Sequence, residues 1–557
     1  MKRCPHCKRD YFDDSLTYCL DDGHRLLDGP LVPEDQATAV LPGGSSEAPT
    51  ETLPTARREP LRGRSAIATL AGFVIIAIAV GGYLYWTQPP VERFNSIAVL
   101  PFVNESGDPE AEYLSDGMAE TLMNSLSQVP GLQVKARSAV FRYKESTADE
   151  QSIGKELNVQ VLLKGRVVSR GGDLVLYLEL VDVGGGNRIW GEKYDRQQAE
   201  IAALQNEIAR DVITNLQLKL NGTDEQRLTH SSSENPEAYR NYLKGRFYWN
   251  KRTKEGMEKG IEYFLDSIEA DPQYARAFAG LADSYNFLAA FGIAAMPPQD
   301  AMPKAKAAAM RALELDDSLA EAHASLAFVK LYYDRDWSGA ETEFRKAVQT
   351  NPAYAPGYQW YSHLLMTLGR KDEAIEQAKR AVEIDPLSMP TFLNLGWQYQ
   401  WAREADAAID SMNRLLDMDP VYVQGHWNLG LALEQKGRFA DAESAFRKAV
   451  ELSGGAPVYV ASLAHGLALA GKKAEARQTL NSLEKRAASE YIPPYWMAAG
   501  YVGLGDNEKA LEFLEAAFIE HSGGLVWLAV DPRMDPLRSE PRFQELLMRV
   551  GLTQVTR

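Results

Sequence analysis

With 557 residues, 45% of them hydrophobic and 24% charged, the chain is far longer than one ordinary domain and too apolar to stay disordered throughout. A net charge of -16 and a pI near 5.2 leave no excess of cations for broad neutralisation of a nucleic-acid backbone, so the acidity serves solubility. The three cysteines, Cys4, Cys7 and Cys19, all lie in the first turns of the chain, which excludes a disulfide-stapled architecture for everything after them.

Those cysteines carry the first motif. Cys4 and Cys7 stand at knuckle spacing, Cys19 follows after eleven residues, and Asp22 occupies the place where a second C-x2-C would put its last thiolate. Zinc accepts thiolate, imidazole or carboxylate in a tetrahedron, so Asp22, His24 or His6 completes the set, with Tyr11 and Phe12 as apolar cover. The expectation for residues 1–28 is a small ribbon holding one structural Zn2+; the alternative is three free thiols. Residues 29–64, rich in Pro, Gly, Ser, Thr and Glu, read as a disordered linker.

The run from Ser65 to Val91 contains no charged residue, and about 20 apolar residues suffice to cross a hydrocarbon core of about 30 Å. A transmembrane helix is expected over 65–87, closed by Tyr83, Tyr85 and Trp86 at the interface and by Pro89-Pro90. Arg57, Arg58, Arg62 and Arg64 precede it, whereas only Arg93 follows closely, so the amino terminus is expected in the cytoplasm and the rest in the cell envelope, at the inner membrane. Thiols confined to the reducing side agree with that orientation.

Residues 94–220 alternate strand and helix patterns. "SIAVLPFV" reads as a buried strand, and the helix after it sets Leu114, Met118, Leu122 and Leu126 on one stripe. "LQVKA" gives a second strand and "DEQSIGKELN" a second helix. Three further strands follow, joined at Gly171-Gly172 and Gly184-Gly185-Gly186, and "IAALQNEIARDVITNLQ" closes an α/β domain. The segments "IAVLPFVNESGDPEAEYLSDGMAETL", "LLKGRVV" and "RIWGEKYDR" resemble the TolB-like domain found on envelope-facing parts of bacterial adenylate cyclases and membrane-bound regulators. The resemblance implies a signalling or assembly module without catalytic residues.

From residue 235 to 520 the dominant fact is a period of 34. Pro352, Pro386 and Pro420 keep it. So do the large residues Tyr361, Leu395, Leu429 and Leu463, the small residues that follow each, and Ala374, Ala408, Ala442 and Ala476. About eight repeats are expected, with an insertion in the second near "FGIAAMPPQDAMP" and one extra residue in the third near "DRDW". The stretch resembles tetratricopeptide (TPR) arrays, an all-α superhelical solenoid, with residues 521–557 as capping helices. In such arrays the first helix of each repeat lines a groove. That register nominates Gln359, His363, Leu393, Trp397, Gln400, Trp427, Leu431, Glu434 and His465 as partner-binding residues, with Trp397 and Trp427 either anchoring a peptide or packing between helices.

No catalytic pattern stands out. "GLALAGKK" lacks the Ser or Thr that holds magnesium in a phosphate loop, and "VDVGGGNRIW" is followed by a strand where a helix amino terminus is needed. The sequence therefore reads as a non-enzymatic single-pass membrane scaffold or sensor that binds a protein or peptide and can self-associate. The alternative is a membrane-tethered transcription regulator acting through the zinc ribbon, disfavoured by nine Lys/Arg against eleven Asp/Glu in residues 1–64.

Overall fold

The computed structural model describes residues 2–3, 10–11, 27–28, 94–108, 111–218, 233–289 and 296–553, in two compact units, Met1–Pro90 and Val91–Arg557. In the first unit, β1 (Lys2–Arg3) pairs antiparallel with both β2 (Asp10–Tyr11) and β3 (Leu27–Asp28). Cys4, Cys7, Cys19, Asp22 and His24 fall in the two connections between these strands, outside the described residues. The segment 65–87 also lies outside them; among the described residues no helix is long and apolar enough to cross a membrane.

The second unit opens with a mixed sheet of order β6-β4-β7-β8-β9. Strand β4 (Ser96–Val99) is buried along its whole length because β6 (Gln133–Val134) and β7 (Val161–Arg170) flank it in parallel, and β5 (Val103–Asn104) extends the pairing with β7. β7, β8 (Asp173–Asp182) and β9 (Arg188–Gln197) form an antiparallel meander. Alternation along β8 sends Leu174, Leu176, Leu178 and Leu180 into the core, while Gly171 and Gly172, at φ +59° and +97°, make the first hairpin turn. Helices α1 (Glu112–Leu126) and α4 (Ile201–Asn215) cover the sheet; the stripe Leu114, Met118, Leu122 and Leu126 is fully inside. Between them lie α2 (Arg137–Phe141) and α3 (Glu150–Leu157). At five residues α2 is too short to show a helical stripe in the sequence.

Eight helix pairs follow among the described residues: Pro236–Trp249 with Lys254–Ala270, Ala275–Ala289 with Pro298–Leu315, Ala320–Val329 with Trp337–Thr350, Ala355–Thr367 with Lys371–Ile384, Met389–Trp401 with Ala405–Met418, Val423–Gln435 with Phe439–Leu452, Pro457–Leu469 with Lys473–Arg486, and Pro494–Leu504 with Asn507–Ile519. The 34-residue alanines are buried at the crossings of these helices, where a larger side chain would hold the backbones apart. Gly396 and Gly430 serve the same contact: a Cβ there would meet Met412 Cε at 2.2 Å and Phe446 Cε1 at 2.5 Å. Each acidic or amide residue that opens a turn between pairs caps it, as Asn351 Oδ1 and Asp419 Oδ1 do by accepting the N–H of Ala353 and Val421 at 3.0 Å. The extra residue of the third repeat is absorbed as a π turn over Lys330–Asp334.

The α/β layer and the first helix pairs share one apolar core, running from Ile97 through Leu243 and Phe264 to Leu326. At its polar centre Glu120 of α1, almost fully buried, accepts from Arg246 at 2.6 Å, Asn250 at 2.5 Å and Arg137 at 3.1 Å. Burial pushes this carboxyl up, and the charges of Arg246 and Arg137 outweigh it, holding Glu120 below the usual carboxylate range.

Candidate partner-binding groove

The corner between the two helices of a pair needs a left-handed residue, and glycine supplies it at Gly369, Gly437, Gly471 and Gly505, with φ between +70° and +82°. The same 34-residue column is occupied by Arg335 at φ +59° and Arg403 at φ +72°. A side chain in that conformation costs about 1 kcal/mol relative to glycine. Arg403 reaches the segment that follows the last helix pair, and Arg335 reaches the end of that pair's second helix. The Arg403 guanidinium meets the Asp535 carboxylate in two parallel bonds of 2.6 and 2.8 Å. Arg335 donates to the Phe518 carbonyl at 3.4 Å and lies over its ring at 4.5 Å.

That segment is two 3-10 turns, Gly523–Trp527 and Pro532–Leu537, lying across the first helices of the solenoid. Trp527, 2% exposed, stacks on Trp401 at 5.4 Å and meets His363 edge-on at 5.3 Å and Tyr332 at 6.5 Å. Val526 and Val530 join the core of pairs two to five, and Leu525, Leu528 and Ala529 join that of pairs six to eight. The fully buried Asp531 accepts from the Tyr495 hydroxyl at 2.9 Å and from the Arg533 guanidinium at 2.7 Å, and that guanidinium lies over Trp496. Gly524 is required here, since a Cβ would sit 2.4 Å from the Tyr495 ring. His521, itself at φ +57°, donates from Nδ1 to the Tyr333 carbonyl at 3.0 Å.

Of the nine groove residues nominated by the register, most are buried, His363 against Trp527 and others against the solenoid's own helices. His363, Leu393, Gln400, Trp427, Leu431, Glu434 and His465 are all buried, and only Gln359 and Trp397 are half-exposed. Trp427 is a packing residue: its Nε1–H donates to Ser462 Oγ at 2.9 Å, and its ring lies among Trp397, Tyr459 and Trp496 at 5.1 to 5.9 Å. His465 pairs with Glu434 at 2.9 Å inside the core. The residues expected to cap the solenoid divide: Pro541–Val550 forms a closing helix, while 523–537 fills the inner face. The sequence signal for this was the break in the glycine column at Arg403.

His363 sits at the centre of the covered face. Nε2–H donates to Asn394 Oδ1 at 2.6 Å and Nδ1 accepts the Tyr332 hydroxyl at 2.5 Å, an arrangement that suits the neutral ring. Burial pulls its pKa down to about 4, against the opposing Asn394 bond.

Neither glycine-rich stretch cradles a phosphate. The N–H groups of Gly184 and Gly185 are both taken by the Asp182 carboxylate at 2.9 Å, and Gly466–Lys473 runs from one solenoid helix through a turn into the next. Among the described residues no group of three or more His, Cys, Asp or Glu is placed to hold a metal ion.

Comparison with known proteins agrees with the repeat. Tetratricopeptide repeat families match residues 355–386 and 393–457, and the helix pairs there are TPR units. The family described as "HilA/YgeH-like transcriptional regulator, second domain" matches residues 93–211, the α/β layer expected to be TolB-like. Among curated proteins, "Putative adenylate cyclase 3" of Rhizobium meliloti (strain 1021) is 29% identical over 295 residues, 51% of this chain and 43% of that protein. "Transcriptional regulator HilA" of Salmonella typhimurium is 24% identical over 301 residues, 53% of this chain and 52% of that protein. The chain thus spans about half the length of the curated relatives it matches. Among solved structures, the Cut9-Hcn1 hetero-tetramer of APC/C is similar over 63% of each chain at 15% identity and a TM-score of 0.39.

Proposed function

We propose that this chain is a non-catalytic binding protein whose TPR solenoid takes a protein or peptide partner. The observation that carries the reading is the solenoid itself: eight stacked helix pairs, two stretches of which match tetratricopeptide repeat families, an architecture that presents an extended surface to a partner. The arginine-flanked segment 65–87 supports anchorage in the inner membrane, with the solenoid in the envelope and a TolB-like relay beside the membrane. The thiols and Asp22, His24 or His6 form a donor set chemically suited to structural Zn2+, and the strands β1–β3 bracket it.

Crosslinking the full-length protein in its native membrane tests this. A partner recovered with the full chain and competed away by the purified solenoid is expected. Absence of any competed partner, or conversion of ATP to cyclic AMP by the purified chain, contradicts it. A second reading, transcription regulation, is favoured by the match over 93–211 and by the regulators among the relatives. Salt-dependent DNA binding by residues 1–64 would establish it in place of the scaffold.

A further inference from the structure

We infer that residues 521–538 are an intramolecular occupant of the groove, and that the partner of this face presents the same chemistry: a tryptophan followed, eight residues on, by a carboxylate. The proposal rests on the partner-binding reading and names the ligand class of that surface. Five observations support it. The occupant has no α-helix of its own, only two short 3-10 turns, and owes its conformation to the surface beneath. Its anchor is one side chain, Trp527, seated among Trp401, His363 and Tyr332, and four solenoid tryptophans, Trp397, Trp401, Trp427 and Trp496, surround the same gap.

Its second anchor, Asp535, is held at the rim by Arg403, and both partners of that ion pair are 43% exposed, so water reaches the latch. Arg403 stands where the repeat itself calls for glycine, so a left-handed arginine occupies the corner that touches the segment, and Arg335 at the equivalent corner reaches Phe518 just before it. The occupant also leaves the buried Trp401 Nε1–H and Gln400 Oε1 without a protein partner among the described residues, so a competing peptide has polar groups still to satisfy.

A partner peptide then replaces stacking for stacking and carboxylate for carboxylate, and the released segment leaves the groove open from the third to the eighth helix pair. Because the occupant is tethered, its effective concentration is about millimolar, and a free ligand displaces it only if it binds better or if the occupant is weakened.

The test uses the full chain carrying Trp527→Ala, which disables the occupant and leaves every groove residue native. A fluorescent synthetic peptide of residues 519–540 is titrated against it, with the same peptide lacking the tryptophan as control. The inference expects the peptide to bind the variant at least about 100-fold more tightly than it binds the unmodified chain, and the control not to bind. A folded variant that ignores the peptide overturns it. Hydrogen exchange supplies an independent arm if that variant fails to fold: Arg403→Asp should lose protection over 521–538 and the double variant Arg403→Asp with Asp535→Arg should regain it. Unchanged protection in the single variant overturns the latch. A crosslinked partner that persists after either failure leaves the binding function standing on another surface.

Discussion

The two ends of the solenoid are closed by opposite physics. At the amino-terminal junction the α/β layer is fused to the first helix pair through an ion cluster around Glu120, whose side chain is 7% exposed and whose partner Arg246 is 18% exposed. At the carboxyl-terminal closure the contact is aromatic, Trp527 on Trp401; its buried ion pair, Asp531 with Arg533, lies within the segment itself, and the ion pair from the segment to a solenoid corner, Asp535 to Arg403, stands in solvent. A buried charge cluster punishes the loss of any one member, because the survivors remain desolvated and unpaired. A stacked aromatic with an exposed latch can exchange for another ligand of the same kind. The difference makes the junction a permanent part of the scaffold and the closure its moving part.

The sharpest way to break that contrast is at Glu120. Glu120→Ala strands Arg246, Arg137 and Asn250 in the core and should cost about 3–5 kcal/mol of global stability, read as a fall in the urea midpoint, with Glu120→Gln milder. Trp527→Ala should cost about 3 kcal/mol locally, lowering exchange protection over 521–538 and in pairs three to five while α1 and β7 keep theirs. Equal loss in both regions would show that the closure is no separate unit.

Acid sharpens the comparison. The folded pKa of His363 is lowered from 6.5 to about 4, so the unfolded chain binds the proton first and stability falls as pH drops below 6.5. By pH 5 that amounts to about 2 kcal/mol, and His363→Gln should flatten the pH dependence of the closure by that amount. Asp283 acts in the opposite sense: burial raises it from 3.8 to about 6, against the Ser325 hydrogen bond and the Arg246 charge. The folded chain holds its proton longer, and stability is regained as pH falls through 6. Asp283→Asn should therefore steepen the acid loss that His363 causes. The smallest effect is expected at Arg403→Gly. It relieves a left-handed side chain, about 1 kcal/mol, while losing an exposed pair worth up to about 1 kcal/mol, so the thermal midpoint should stay almost unchanged while the closure loosens.

Much of the scaffold was legible because its constraints are local. The leucines of β8 alternate as a half-buried strand must, the glycine pairs mark the hairpins, and the alanines at 374, 408, 442 and 476 have to be small wherever two helices cross. The groove was legible only as a register. Trp397, Trp427 and His363 fall on the inner helices, and the pattern is the same whether solvent, a partner or the chain's own end covers that face, because burial by a segment more than 100 residues away leaves no periodic trace. The Arg403 departure from the glycine column, whose side chain meets Asp535, was the sequence feature that pointed to the segment.

Native-state hydrogen exchange on the unmodified full-length protein compares the two ends most directly. The account predicts that amides of 523–537 exchange through an opening of lower free energy than those of Glu112–Leu126, with the opening made easier by the tryptophan-bearing peptide. Identical opening energies for the two segments, unmoved by the peptide, would contradict it.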